Sequence, residues 1–209
     1  MNGQDVNDRR RLGLLMALLA LGAISAFATL QFLNVTIWAI NATKPPVQKY
    51  AGPDVAAYPN YIKVASYVKD GLNVTYIYVL GYTGDITNYT DALQVCNKYG
   101  TSSVTVSMRY VGPVGGLVKN NPDYVKQFVV YYSADQSQWV GFTYTETRNG
   151  PVPIVTSLEP GQCVTLGVSV LVSGDLSKGD WSGSLGTAVP PNENTLAIYQ
   201  VDIITSPSQ

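Results

Sequence analysis

The sequence predicts an all-β protein, a jelly-roll-like β-sandwich with an N-terminal extension strand. Apolar and polar residues alternate at period two in most segments after residue 45. The composition also favours strands, since 15 residues are Tyr and only 13% are charged, about half the usual share. Turn-forming residues separate the alternating runs at spacings typical of a sandwich. We therefore assign residues 45–209 to one β-sandwich domain.

Residues 1–28 have the features of a signal peptide. Arg9 to Arg11 precede an apolar run, and a small-x-small site follows at residues 26–28, which predicts cleavage after Ala28. Two alternatives stay open. The uncharged run is long enough to be retained as a membrane-spanning helix, which needs about 20 apolar residues. Prepilin-type cleavage after Gly13 would instead leave an apolar helix.

Residues 29–44 are predicted to form the extension strand. β-branched residues and a tryptophan favour a strand, and Pro45 and Pro46 end it because proline cannot donate a hydrogen bond to a sheet. An apolar strand outside its own domain exposes backbone groups that invite pairing with another chain. We expect this segment to be a donor strand, with the side chains of Leu33, Val35, Ile37, Trp38 and Ala39 buried in a partner.

The first half of the domain is predicted to contain strands and one helix. Residues 60–68 and 72–82 alternate and form a hairpin or sequential strands. Residues 86–100 are predicted to form a short helix, with Asn88 or Thr90 as its N-cap and Gly100 as its stop. Residues 102–112 form a strand whose buried face comprises Val104, Val106, Met108 and Tyr110.

The second half is predicted to consist of strands alone. Residues 124–146 form a hairpin with a turn at residues 134–137, and Trp139 begins the return strand. A turn at Pro160 and Gly161 precedes a strand through residues 163–173. Residues 194–205 supply the last strand. These runs and the extension strand amount to about eight strands.

The residue content argues against most kinds of catalytic, metal-binding and nucleic-acid-binding site. The chain has no His, which removes His-based triads and HExxH zinc sites. The net charge of -1 provides no basic surface for nucleic acid. The glycine-rich stretch at residues 111–118 lacks phosphate-binding spacing, and the carboxylates show no calcium-loop or glycosidase spacing. We expect no enzymatic activity, no cofactor, no metal and no nucleic-acid partner.

The two cysteines and four sequons are the remaining candidate site residues. In an exported protein, Cys96 and Cys163 are expected to form a disulfide, the alternative being two buried thiols. Each of four asparagines is followed by a non-proline residue and Thr, which makes it a candidate for N-glycosylation. These are Asn34, Asn41, Asn73 and Asn88.

A cleavable leader, an apolar strand after it and the turn-strand element "LEPGQCVTLGVSV" together resemble the TasA-like biofilm fibre proteins, especially the archaeal bundling pilins. The resemblance implies a jelly-roll subunit that polymerises by donor-strand complementation, with residues 29–43 as donor. It also implies lateral bundling of filaments. Some bacterial relatives are named as metallopeptidases, an activity that a chain without His does not support. The cysteine pair departs from the bacterial members.

The sequence therefore predicts a secreted, cell-surface filament subunit that acts in adhesion and biofilm formation. Its expected partners are copies of itself and neighbouring filaments, and it meets the membrane only during export or if the N-terminal segment is retained. One alternative is a type IV-like archaeal pilin with an N-terminal helix in the filament core. Another is a membrane-anchored, cell-surface carbohydrate-binding sandwich domain, since Tyr-rich sheets can stack on sugars.

Overall fold

The computed structural model describes residues 13–16, 45–69, 72–114, 122–175 and 195–208. The chain divides into two compact units, residues 1–42 and 43–209. In the first unit, the described residues 13–16 are helical. None of the helices in the described ranges has the length and apolar character needed to cross a bilayer. The predicted donor strand, with Leu33, Val35, Ile37, Trp38 and Ala39, lies outside the described residues, as do Asn34 and Asn41.

The second unit is an antiparallel all-β fold, which confirms the predicted fold class; the jelly-roll topology stays a prediction. A short helix, α1 (Pro53–Ala57), and a 3-10 turn at Pro122–Tyr124 accompany the strands. The strands of the described ranges are β1 (Val47–Ala51), β2 (Ile62–Lys69), β3 (Leu72–Val79), β4 (Ile86–Asn97), β5 (Val104–Pro113), β6 (Val125–Tyr132), β7 (Asp135–Phe142), β8 (Thr147–Arg148), β9 (Val152–Leu158), β10 (Cys163–Val172) and β11 (Tyr199–Pro207).

Two sheets pack face to face, and a hairpin stands beside them. The larger sheet has six strands in the order β1-β4-β10-β6-β7-β8, and the smaller has the order β11-β5-β9. Strands β2 and β3 form the predicted hairpin. The alternation of β5 is as expected, since Val106 and Met108 are fully buried between the sheets. Each such side chain contributes about 1.5–3 kcal/mol by its burial.

A second apolar cluster attaches the hairpin to the sandwich. Ile62 of β2 is fully buried with Tyr89 of β4 and Val168 of β10. The Tyr89 hydroxyl lies 2.7 Å from the backbone oxygen of Leu80 and 3.1 Å from that of Tyr61, and its single proton is shared between these two acceptors. Burial raises the pKa of Tyr89 to about 12, so this phenol stays a donor at neutral pH. The hairpin base is therefore fixed by both packing and hydrogen bonds.

The predicted helix at residues 86–100 is wrong, because residues 86–97 of this range form β4. Its buried residues include four that are spaced as on one face of a helix, Tyr89, Ala92, Leu93 and Cys96. The strand has a bulge in this stretch: the four steps from Leu93 to Tyr89 along β4 oppose only two along β10. The extra residues interrupt the alternation, so the neighbouring Ala92 and Leu93 are both buried and the pattern imitates the helical period.

The predicted turn at residues 134–137 is also misplaced. The hairpin turn is Ser133–Ala134, and β7 begins at Asp135 rather than at Trp139. The Asp135 carboxylate accepts hydrogen bonds from the backbone N–H and the hydroxyl of Ser137. This local bonding is typical of turns, but here it stabilises a bulge at the start of the strand.

Several strands were not predicted. Strands β1, β4, β8 and β9 were not predicted as strands, and the last strand begins at Tyr199 instead of residue 194. Strands β1 and β9 each follow a proline, β1 has only five residues, and β9 contains Pro153, which weakens its strand signal. Strand β8 has only two residues. Their pairing with longer neighbours, rather than their own sequence, makes them strands.

The predicted disulfide is present and joins two neighbouring strands. Cys96 of β4 and Cys163 of β10 are direct cross-strand partners, with an S–S distance of 2.01 Å. The adjacent Asn97 is fully buried, and its Nδ2 donates to the backbone oxygens of Ser102 at 3.0 Å and Leu158 at 2.9 Å. The end of β4 is thus tied covalently to β10 and by hydrogen bonds to the end of β9.

Replacing both cysteines by serine is expected to lower the free energy of unfolding by about 4 kcal/mol, because the bond closes a long loop in the unfolded chain. The melting temperature should fall by about 10 °C. Differential scanning calorimetry of the Cys96→Ser/Cys163→Ser variant against the oxidised wild type measures this change. Equal melting temperatures would contradict it.

Candidate functional site

The edges of the two large sheets differ in how they are protected. On one side, β8 is only two residues long. The neighbouring edge strand, β9, contains Pro153 and two register shifts against β5. Short strands, prolines and irregular pairing all hinder the addition of another strand. The other two edge strands, β1 and β11, lie on the opposite side.

Strand β11 provides a long, regular edge. It has nine residues, and its described pairing is with β5 on one side only. Val201 and Ile203 lie opposite Tyr110 and Met108 and pack as half-buried side chains against the main core. The other side of β11 has no strand partner among the described residues. It therefore offers backbone groups for pairing beside an incompletely covered core.

Strand β1, the other edge strand on this side, carries an inward-pointing charge. Lys49 pairs with Val95, which is fully buried, so its side chain begins on the core face of the sheet. Burial lowers the pKa of the Lys49 ammonium group, and the charge of Asp202 on β11 partly opposes this by raising it. A strand added beside β1 would bury this charge further, so Lys49 disfavours pairing there.

Asp202 anchors the outer face of β11. Its Oδ2 accepts a hydrogen bond from Arg109 Nη2 at 2.6 Å, and its Oδ1 accepts one from Gln200 Nε2 at 2.8 Å. The hydrogen bonds from Gln200 and Arg109, and then the positive charges of Arg109 and Lys49, lower the pKa of Asp202. The carboxylate therefore stays ionised at neutral pH and holds β11 against β5 while its other side is open.

The structure places the predicted site residues in separate regions. Cys96 and Cys163 meet in the disulfide. Asn73 lies exposed on β3 near the hairpin tip, and Asn88 lies exposed on β4 on the outer face of the six-stranded sheet. The described ranges contain no group of three potential metal ligands. The candidate functional site that we consider is the open side of β11, which we call the β11 edge.

Lys49 and Asp202 were not predicted from the sequence as site residues. The run "VQKYA" alternates, with Lys49 between Val47 and Ala51 on one face, and this pattern could have indicated an edge strand with an inward lysine. Asp202 had no comparable signal, because its role depends on Arg109, which is distant in sequence. Only the pairing of β11 with β5 brings these two residues together.

Comparison with known proteins does not place the chain in a family. No protein-family model matches it, and a search of curated proteins finds no significant match.

Replacing Lys49 by Met is expected to raise the free energy of unfolding by about 1 kcal/mol at pH 7, because a partly buried charge is replaced by an apolar side chain of similar length. The folded-state pKa of Lys49 lies below its unfolded value, so the wild type should gain stability as pH rises through that interval towards about 10.4.

Urea unfolding at pH 7 and at pH 10 measures both effects. In Lys49→Met the gain between the two pH values should shrink, whereas the control Lys98→Met, which alters an exposed lysine, should keep it. A Lys49→Met variant that is less stable than the wild type at pH 7 would contradict the role given to this charge.

Proposed function

We propose that the protein is the structural subunit of an extracellular filament, in which residues 29–44 of one subunit add as a strand to the β11 edge of the next. The observation that carries this proposal is the nine-residue β11 edge beside half-buried core residues. The same chain contains an apolar, β-patterned segment that its own predicted domain does not include. Donor and acceptor are thus both encoded in one sequence.

Two kinds of contact would hold the donor strand on the β11 edge of the next subunit. Backbone hydrogen bonds along β11 fix the register, and alternate side chains of the donor reach the core. Leu33, Val35 and Ile37 alternate at the required period. Burial of four or five apolar side chains gives on the order of 10 kcal/mol before the cost of ordering. This is sufficient for a long-lived junction between subunits.

The link between donor and domain favours exchange between subunits. Pro45 and Pro46 immediately precede β1, and consecutive prolines hold the chain extended. An extended link opposes the tight reversal that insertion into the same subunit would need. Because donor and acceptor are different surfaces of identical molecules, the contact is head-to-tail and generates an open polymer.

The disulfide supports an extracellular location. Such bonds persist in oxidising compartments and are rare in the cytosol. Together with the predicted leader, this favours a secreted filament at the cell surface. By the resemblance given above, its roles are adhesion and biofilm formation, with lateral bundling of filaments.

Deletion of residues 29–44 is expected to leave a folded domain that forms no filaments, because the donor is lost. Electron microscopy of the purified protein tests this, and a synthetic peptide of residues 29–44 should bind the deleted protein in a titration. Filaments formed by the deleted protein would disprove donor-strand assembly.

Within the full chain, Ile37→Asp should abolish assembly, and Thr36→Asp, on the other face of the donor, should affect it less.

A lysine placed inward on β11 is expected to block the acceptor, as Lys49 does on β1. Val201→Lys should reduce binding of the donor peptide at least tenfold, because the added strand would bury the charge. Ile204→Lys is the matched control, since Ile204 pairs with Ser107 and lies on the opposite face of β11. Circular dichroism checks that both variants fold. Equal peptide affinity for both would exclude β11 as the acceptor.

A further inference from the structure

A groove of about 330 Å³ crosses the outer face of the six-stranded sheet, away from the disulfide and the β11 edge. Its walls come from β4, β10, β6 and β7, and they carry amides, hydroxyls, two aromatic rings and one valine. None of the lining side chains is charged. A neutral, hydroxyl-rich ligand therefore suits the groove better than an ionic one.

A glycine and a tyrosine form part of the groove floor. Gly167 lies opposite Tyr131, and a Cβ on Gly167 would come within 2.4 Å of the Tyr131 ring. The ring therefore lies across this glycine, where it is almost fully buried. Beside it, Gln127 Nε2 donates a hydrogen bond to Ser169 Oγ at 2.8 Å. The floor is thus rigid before any ligand arrives.

Trp139 forms the far wall and is held in place from behind. The Arg148 guanidinium lies 4.3 Å from the centre of its ring. Arg148 in turn donates to Glu146 Oε1 at 2.5 Å and to the Ser137 backbone oxygen at 3.2 Å. An indole held this way loses little freedom on binding, and its face can pack against the C–H face of a sugar ring.

The opposite wall contains both essential residues of a glycosylation sequon. Asn88 and Thr90 line the groove, and both are exposed. Asn88 pairs across the sheet with Ser169, which pairs with Val129 of β6. Among the described residues, no hydrogen bond engages the side-chain amide of Asn88. The β4 wall lies three strands from Trp139 on β7, about 14 Å at the usual strand spacing.

We propose that Asn88 is N-glycosylated and that the first sugars of its glycan lie in this groove, across Ser169 and Val129 and against Trp139. In the modification, Asn88 Nδ2 bonds to the anomeric carbon of a lipid-phosphate-linked saccharide as the bond from that carbon to the phosphate oxygen breaks. The amide loses one proton and the lipid phosphate leaves. The inference rests on export, which the proposed function includes, but it does not depend on strand exchange.

The glycan would cover the outer face of the sheet without entering the core. The side-chain amides of Gln127 and Gln136 would form hydrogen bonds with the sugar hydroxyls. Val129 and Trp139 would pack against the apolar faces of the sugar rings. Asn73, the other described sequon asparagine, lies on the hairpin outside the groove and serves as an internal comparison. We expect its glycan, where present, to extend into solvent.

The test uses full-length protein purified from the cells that secrete it. Mass spectrometry of chymotryptic peptides should find a saccharide on Asn88. Mild periodate, which cleaves vicinal diols, should then oxidise this glycan at least threefold more slowly in the folded protein than in urea. Trp139→Ala should remove most of that protection, whereas Tyr144→Ala, which alters an exposed aromatic residue, should retain it.

Unmodified Asn88 would overturn the inference, as would equal oxidation rates in folded and unfolded protein. Protection that survives Trp139→Ala would also overturn it. These outcomes are separable from the filament proposal, because filament assembly does not require that Asn88 be glycosylated. Conversely, a protected Asn88 glycan on a protein that never assembles would leave this inference standing.

Discussion

Strand β10 lies in the interior of the six-stranded sheet, and both of its faces are covered. One face supplies Val164, Leu166, Val168 and Val170 to the two apolar clusters. On the other face, Gly167 lies beneath the Tyr131 ring, and Ser169 and Leu171 are also buried. Because both faces of β10 are packed, a charged side chain or a cavity in this strand would be destabilising. The strand pairs with β4 on one side and with β6 on the other, and it thereby sets their positions in the sheet. The disulfide to β4 strengthens the first of these contacts.

The order imposed by β10 leaves the two sides of the sandwich unequal. One side ends in β8, which is very short, and in β9, which pairs irregularly with β5. Both edges are therefore poorly suited to pairing with another strand. The other side ends in β1 and β11. There an inward lysine disfavours pairing at β1, while the nine-residue β11 has no strand partner on its outer side among the described residues. A subunit with one protected and one accessible edge has a direction, which a head-to-tail polymer requires.

The outer face of the six-stranded sheet has a different chemistry from its edges. Charged side chains lie at the edges, with Lys49 on β1 and Asp202 on β11, where Asp202 forms an ion pair with Arg109 of the central strand β5. The groove is lined by uncharged side chains, with the nearby Arg148 and Glu146 paired to each other behind Trp139. The open strand edge and the neutral groove are therefore separate surfaces of the molecule. In the proposals made above, the first would contact a neighbouring subunit and the second would carry the glycan.

Local sequence was sufficient to predict the strands with unbroken alternation and the disulfide between the two cysteines. Strands β5 and β10 were predicted correctly because each alternates between a core face and its opposite face. The tertiary structure alone decided β4, where a bulge against β10 disguises the alternation, and the short strands that depend on longer neighbours. The β11 edge and the groove also depend on tertiary structure, because residues distant in sequence are brought to one surface only when the sheets assemble: Lys49 comes near Asp202, and Asn88 and Trp139 line opposite walls of one groove. Local pattern encodes which face of a strand is buried, but not which strand lies beside it.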